Sequence, residues 1–421
     1  MQQDLNILIW PHEEAAPVLA GRLSFEAFSV SFRYDRAYLG HPKAISIYGD
    51  DLKMHMHSLH TDGANVIFTS LRDALPDRWC RRVIAAGLRN DTEKAMLEDD
   101  IIEATVMLHI GPDRIGALDF RHPDCPISNE QNDAAPLEDL MALADLVEDG
   151  SDVPAELHHL IPHCASVGGA RPKALFTDTS GRKYIAKFTA ANDSYPVVQG
   201  EFIAMRLATL AGINAARVEL TTLGGRPALL VERFDRTALA SGGSARKAMV
   251  SALTWTHENE LSAHHISYAQ LAESITDRFE HAAVEQEELF QRLVFNVLVG
   301  NTDDHARNHA AFWDGATHAL TPAYDIAPQC RTTREANQAM VLANGSRAAQ
   351  LRIAAAVAPE FGISTRQFQQ IVDRQVAAII DNWTAICDEA MLSSHERETF
   401  VGRQFFNDYA FEGFVPTPML P

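Results

Sequence analysis

Residues 300–308 read Gly-Asn-Thr-Asp-Asp-His-Ala-Arg-Asn. Asp303 and Asn308 stand five residues apart. At that interval a carboxylate can accept a hydroxyl proton while an amide offers a neutral oxygen to Mg2+. That division of labour suits phosphoryl transfer. Arg307 adds a positive charge for the transferred phosphoryl group. The bland alternative is a polar loop closed by an Asn cap. Asp325 follows 22 residues after Asp303, inside Leu-Thr-Pro-Ala-Tyr-Asp-Ile-Ala-Pro (320–328). An Asp flanked by Tyr and Ile is less often merely solvated. Its hard oxygens suit Mg2+ between nucleotide phosphates.

Three further groups precede these in the chain. Lys187 ends the strand-like Ile185-Ala186-Lys187-Phe188, where a Lys would meet the α- and β-phosphates, and Glu201 opens the next helix as its natural partner. An edge-strand Lys reaching solvent is the competing reading. Ser166-Val167-Gly168-Gly169-Ala170-Arg171-Pro172-Lys173 would let backbone N–H groups approach phosphates. It is neither a Gly-x-Gly-x-x-Gly nor a Walker A sequence. Glu232 and Phe234, within Leu229–Asp235, sit where extended backbone would present N–H and C=O groups to adenine. The order of these parts is that of a protein kinase.

The elements around them are partly legible. Leu5–Trp10 and Ala27–Tyr34 read as strands. Leu71–Ala86 turns helical after its Pro-Asp step, and Ile115–Phe120 returns to an extended pattern. The stretch 121–136, rich in Pro, Asp and Asn, reads as a linker. A helix over Leu137–Val147 precedes two hairpins, Ala174–Phe176 with Tyr184–Phe188 and Val218–Leu223 with Pro227–Arg233. Between them lies an amphipathic helix, Glu201–Ala211. Beyond Phe234 the chain reads mostly helical. Glu285–Val299 ends at Gly300, and Ser364 with Gln367 forms a capping box for a helix reaching Ile386.

The 421 residues carry 36 Lys and Arg against 56 Asp and Glu, a formal charge of −20. That disfavours a broad nucleic-acid surface, which needs clustered cations. The 46% apolar and 22% charged fractions fit a globular protein. Five scattered cysteines show no CxxC spacing, which points to neither a zinc ribbon nor a disulfide framework. The apolar runs are too short to span a bilayer, and no secretory leader is expected at the N-terminus. No membrane association and a reducing, cytoplasmic setting are the expectation.

The five signals in this order resemble the HipA family of bacterial serine/threonine kinases, the toxin halves of HipBA toxin–antitoxin pairs. The likeness is most specific at Ser166–Lys173 and Gly300–Asn308. It extends to Tyr324-Asp325 and, more loosely, to Ser29–Tyr38 and Phe68–Arg82. The resemblance implies an α+β, two-lobed protein-kinase-like fold: a β-rich N-lobe (131–234) and a helical C-lobe (235–421), behind a small β-rich subdomain (1–130). It implies a protein kinase using ATP and Mg2+. Asp303 and Arg307 would be catalytic, and Asn308 and Asp325 would bind metal. Val167, Gly168, Gly169, Ala170, Lys173, Lys187, Glu201, Glu232 and Phe234 would hold the nucleotide. It implies autophosphorylation at Ser166, which would eject the glycine-rich loop by charge repulsion. The substrate would be an aminoacyl-tRNA synthetase, typically the glutamyl enzyme, with growth arrest and persistence as the outcome. A HipB-like helix-turn-helix antitoxin would be the partner, and DNA would be reached only through it. One departure stands out: His305 occupies a position where ordinary kinases often place Lys. Two other classes fit the same residues. One is a pseudokinase-like corepressor that binds an antitoxin. The other is a kinase-fold phosphotransferase acting on a small molecule.

Overall fold

The computed structural model describes residues 3–26, 29–61, 67–75, 78–88, 103–127, 134–166, 168–240, 242–259, 262–331 and 333–417. The chain forms two compact units. The first gathers 1–192, 222–250 and 312–316; the second gathers 193–221, 251–311 and 317–421.

In the first unit, β1 (Gln3–Ile9), β2 (Val18–Glu26), β3 (Ser29–Tyr34), β4 (Leu59–His60) and β5 (Leu118–Arg121) form an antiparallel sheet ordered β4-β3-β2-β1-β5. A second sheet takes β6 (Lys173–Thr177), β7 (Lys183–Phe188), β8 (Val218–Leu223) and β9 (Arg226–Glu232) in the order β6-β7-β9-β8. The Asp178 carboxylate accepts the N–H groups of Ser180 and Arg182, both at 2.9 Å, and so shapes the β6–β7 turn. One apolar core runs from Leu5, Ile7 and Phe32 of the first sheet to Ala174, Tyr184, Phe188 and Leu230 of the second. The helices Arg78–Gly87 and Leu137–Asp149 add Trp79, Val83, Leu140 and Leu143 to it.

The second unit is mainly helical. Thr365–Glu389 is its longest helix at 25 residues, and the Ser364–Gln367 capping box at its start is complete. Phe368, Ile371, Val372, Val376 and Ile379 are buried at 3- and 4-residue steps, the stripe of an amphipathic helix. The helix Ala282–Val299 is buried along its whole C-terminal half, from Leu289 to Val299. Arg292 on it donates to Glu288 and to the Thr321 carbonyl, both at 2.8 Å.

The chain beyond Phe234 is mostly helical, as the sequence predicts, and carries short strands as well. Five short strands interrupt it: β10 (Arg236–Ala238), β11 (Ser244–Arg246), β12 (Met249–Ser251), β13 (Ala310–Trp313) and β14 (His318–Leu320). Gly242 and Gly243, at φ 89° and 82°, turn β10 back on β11, a reversal a helix cannot make.

Candidate active site

In the second unit the helix Ala282–Val299 ends in the left-handed residue Gly300, at φ 68°. A Cβ there would stand 2.6 Å from the Gln404 carbonyl oxygen, so only glycine fits. The exit places Asn301 so that its side chain donates to Asn296 at 3.0 Å, and the Thr302 carbonyl accepts from the Ala339 N–H at 3.0 Å. Asp303 follows, exposed to solvent at its edge. Crowding on its inner side raises its pKa; His305 opposes that rise and the Asp325 charge adds to it. Asn308 is 8% exposed and donates its amide to the Asp303 carbonyl at 3.3 Å. That leaves the amide oxygen as the donor for a cation.

Asp325 is half-buried with φ 58°, a left-handed conformation that Asp tolerates better than most residues. Its neighbour Tyr324 donates its hydroxyl to the Arg307 carbonyl at 2.6 Å, which ties the segment to the Asp303–Asn308 loop. Asp303, Arg307, Asn308 and Asp325 are therefore brought together within the second unit. The donor set fits Mg2+: one carboxylate and one amide oxygen, which leaves positions for water and phosphates. Glu201, also in this unit, is 4% exposed. Its helix begins at Val197, just after Pro196, so Glu201 lies in the second turn rather than at the opening.

The glycine-rich loop belongs to the first unit. Lys173 donates its ammonium to the Gly168 carbonyl at 2.6 Å and closes the loop on itself. Gly169 has φ 115°, and a Cβ there would collide with the Lys173 ammonium. Ala170 stands at the loop's exposed tip. Val167 lies outside the described residues. Ser166 is 7% exposed and donates to the Pro162 carbonyl at 2.6 Å. Lys173 and Lys187 pair directly across β6 and β7. Directly opposed side chains share a face, and two like charges there are unfavourable unless an anion offsets them. Glu232 pairs with Tyr184 on β9, and Phe234 packs edge-on against Phe312 at 6.0 Å. The intervening Arg233 N–H is already used by the Lys183 carbonyl at 2.9 Å.

Two supports escaped the sequence reading. Trp79, a buried core residue, also braces the loop. Its backbone N–H donates to the Gly169 carbonyl and its indole N–H to the Lys173 carbonyl, both at 3.1 Å. Beside Glu232 and Phe234 lies a buried ionic network. Asp113 accepts from Lys183 at 2.7 Å and from Arg236 at 2.8 Å, and pairs with Arg233 at 3.2 Å. Asp235 takes Arg233 and Arg236 at 2.8 and 2.9 Å, and the Gly116 N–H at 2.8 Å. Burial alone would raise both carboxyls. The arginines outweigh it, holding Asp113 well below the usual range and Asp235 at about 2.

The sequence family described as the HipA-like C-terminal domain matches residues 165–383, from the glycine-rich loop through the catalytic-loop candidate to the long helix. The chain belongs to that family. The serine/threonine-protein kinase toxin HipA of Shewanella oneidensis is 27% identical over 243 residues, 52% of this chain and 54% of that protein. A putative kinase of Sinorhizobium fredii, Y4mE, is 30% identical over 138 residues, covering 30% of this chain and 31% of its own length. The chain thus spans about half the length of the curated HipA it matches, and less of the second relative. The solved Shewanella oneidensis HipA, from a complex with HipB and operator DNA, superposes with a TM-score of 0.66 at 19% identity. The match covers 96% of this chain and 99% of that one. This HipA-like chain has the α+β fold of that protein. Among its described residues no helix is long and apolar enough to cross a membrane.

Proposed function

We propose that this chain is an ATP-dependent serine/threonine-protein kinase of the HipA toxin type. The observation that carries the reading is the second-unit cluster. Asp303 and Asn308 share one hydrogen-bonded loop, and Tyr324 fastens Asp325 to the same loop. A proton acceptor and an oxygen ligand on one loop, with a second oxygen ligand on a segment tied to it, are what phosphoryl transfer asks of a protein.

In this reading the substrate serine oxygen bonds to the γ-phosphorus as the bond to the ADP oxygen breaks. Asp303 takes the serine proton. Arg307 faces the charge on the transferred group. Asn308 and Asp325 hold Mg2+, which when bound would neutralise phosphate charge. By the family resemblance Lys187 would serve the α- and β-phosphates, Glu201 would be a further nucleotide-site residue, and Lys173 with Val167, Gly168, Gly169 and Ala170 would line the phosphates from the glycine-rich loop. Glu232 and Phe234 serve the adenine through their backbone. Ser166 is the autophosphorylation site.

The protein substrate is an aminoacyl-tRNA synthetase, the glutamyl enzyme first. The partner is a small HipB-like helix-turn-helix antitoxin that would bring DNA contact with it. The setting is the cytoplasm. The kinase type draws support from the family membership and the relatives' names, and the HipB-like partner from the solved HipA, HipB and operator DNA complex; the synthetase and the cytoplasmic setting rest on the family resemblance alone.

The test is incubation with Mg-ATP and a panel of synthetases, with phosphosites mapped by mass spectrometry and Asp303→Asn as control. Transfer that vanishes in the variant is the expected result. No transfer to itself or to any synthetase, with Asp303→Asn indistinguishable from wild type, would sink the reading.

A further inference from the structure

Two aspartates stand side by side in the loop, and they point opposite ways. Asp303 is exposed, whereas Asp304 is 2% exposed. One oxygen of Asp304 accepts the hydroxyl of Tyr268, the first residue of the helix Tyr268–Arg278. Its other oxygen lies 2.9 Å from His309 Nε2. This is a close polar contact and not a hydrogen bond. Tyr268 and His309 are 1% and 2% exposed, and their rings meet edge-on at 5.8 Å. Both ends are anchored beyond this trio. The Tyr268 N–H donates to the Val341 carbonyl at 3.0 Å, and the His309 carbonyl accepts from the Ala252 N–H at 2.8 Å.

Burying a carboxylate is costly, and here no Lys or Arg shares the expense. Among the described residues the only basic partner of Asp304 is His309. Apolar side chains of similar volume would fill this space at lower cost. The placement supplies a reason to tolerate it. Asp304 directly follows Asp303, and His309 directly follows Asn308. The link from Asp304 to His309 therefore staples the two ends of the segment bearing the proton acceptor and the amide ligand. The link to Tyr268 fixes that staple to a helix.

We propose that Asp304 is a positioning residue: its carboxylate, held by Tyr268 and His309, sets the separation of Asp303 and Asn308. The kinase reading supplies what the loop does; the staple itself is independent of it. A displacement of about 1 Å in such a site costs about a hundredfold in rate.

The experiment uses the full chain with Asp304→Asn, Tyr268→Phe and His309→Gln, and the Asp304→Asn/His309→Gln double variant. Amide hydrogen exchange is followed across 302–309 and across the helix Ala282–Val299. Alongside, kcat and KM for Mg-ATP are measured. Asp304→Asn should speed exchange in the loop alone. It should lower kcat about a hundredfold and leave KM for ATP near wild type. The double variant should be little worse than Asp304→Asn, because both changes break the same link. Unchanged loop exchange in Asp304→Asn overturns the proposal, even if kcat falls. So does exchange that rises equally in the helix, since that would be a general loosening. If the wild type transfers no phosphate, the kinase reading fails and loop exchange alone decides the staple.

Discussion

Asp113→Asn is the sharpest probe of the first unit. The carboxylate serves Lys183, Arg233 and Arg236 at 2.7, 3.2 and 2.8 Å, and its side chain is only 5% exposed. An amide keeps the shape but surrenders the charge and one acceptor oxygen. The two arginines retain Asp235 and backbone carbonyls of Asp113, Arg114 and Gly116. Among the described residues Lys183 keeps no other carboxylate partner. Removing one member of a buried pair costs about 3–5 kcal/mol. The lower end, about 3 kcal/mol, applies here because two of the three cations keep a counter-charge. That is a large share of the roughly 5–15 kcal/mol a domain has in hand. The assay is urea unfolding followed by tryptophan fluorescence, with Trp10 and Trp79 buried reporters in this unit. The pH dependence supplies a second check. The folded pKa of Asp113 is depressed, so its contribution is fully present above the unfolded value of about 4 and fades as pH falls through the folded one. The gap between wild type and variant should therefore hold steady from neutrality down to mild acid, and close only below about pH 4. Asp113→Asn/Lys183→Met should recover part of the loss by removing the stranded cation. A loss under about 1 kcal/mol, or no recovery in the double variant, would refute the reasoning.

Other perturbations separate the parts of the site. Lys187→Ala should raise the dissociation constant for ATP as well as slow transfer; calorimetry showing wild-type affinity would remove Lys187 from the phosphate site. The acidic limb of the pH–rate profile should lie above the ordinary Asp value of about 3.9, because crowding and the Asp325 charge raise Asp303. In the chain without nucleotide, adding Mg2+ should draw the Asp303 titration followed by NMR downward by cancelling Asp325, and a titration insensitive to the metal would argue against their proximity. Trp79→Phe should cost about 1 kcal/mol for the lost indole hydrogen bond to Lys173. It should also raise KM for ATP, and a change in stability alone would make Trp79 a packing residue only.

The site was legible where its chemistry is local. Gly300–Asn308 and the Tyr324-Asp325 pair announce themselves by residue type and spacing. The same holds for the capping box at Ser364 and the turn at Asp178. What escaped was set by distance along the chain or by orientation. The Trp79 indole meets a carbonyl 94 residues away, and Arg233 reaches the Asp113 carbonyl 120 residues away; no window contains both partners. Asp303 and Asp304 are the same residue type in a loop without periodicity, so the sequence offers no sign of which turns inward. The start of the Glu201 helix was misplaced for a local reason. Val197 and Val198 are β-branched and weak helix formers, yet both are buried in the first turn after the N-cap Pro196, so packing starts the helix four residues earlier.

The brace from Trp79 bears on how such chains are inherited. The family match begins at residue 165, yet the first unit is continuous from residue 1 to residue 192. A recombination event that joined a foreign leading segment to this glycine-rich loop would put the indole bond at risk and divide one core between two ancestries. The leading segment and the loop should therefore be transmitted together. Chimaeras between relatives should function only when the crossover spares that pairing. The unit that packs together thus reaches well ahead of the stretch by which the family is recognised.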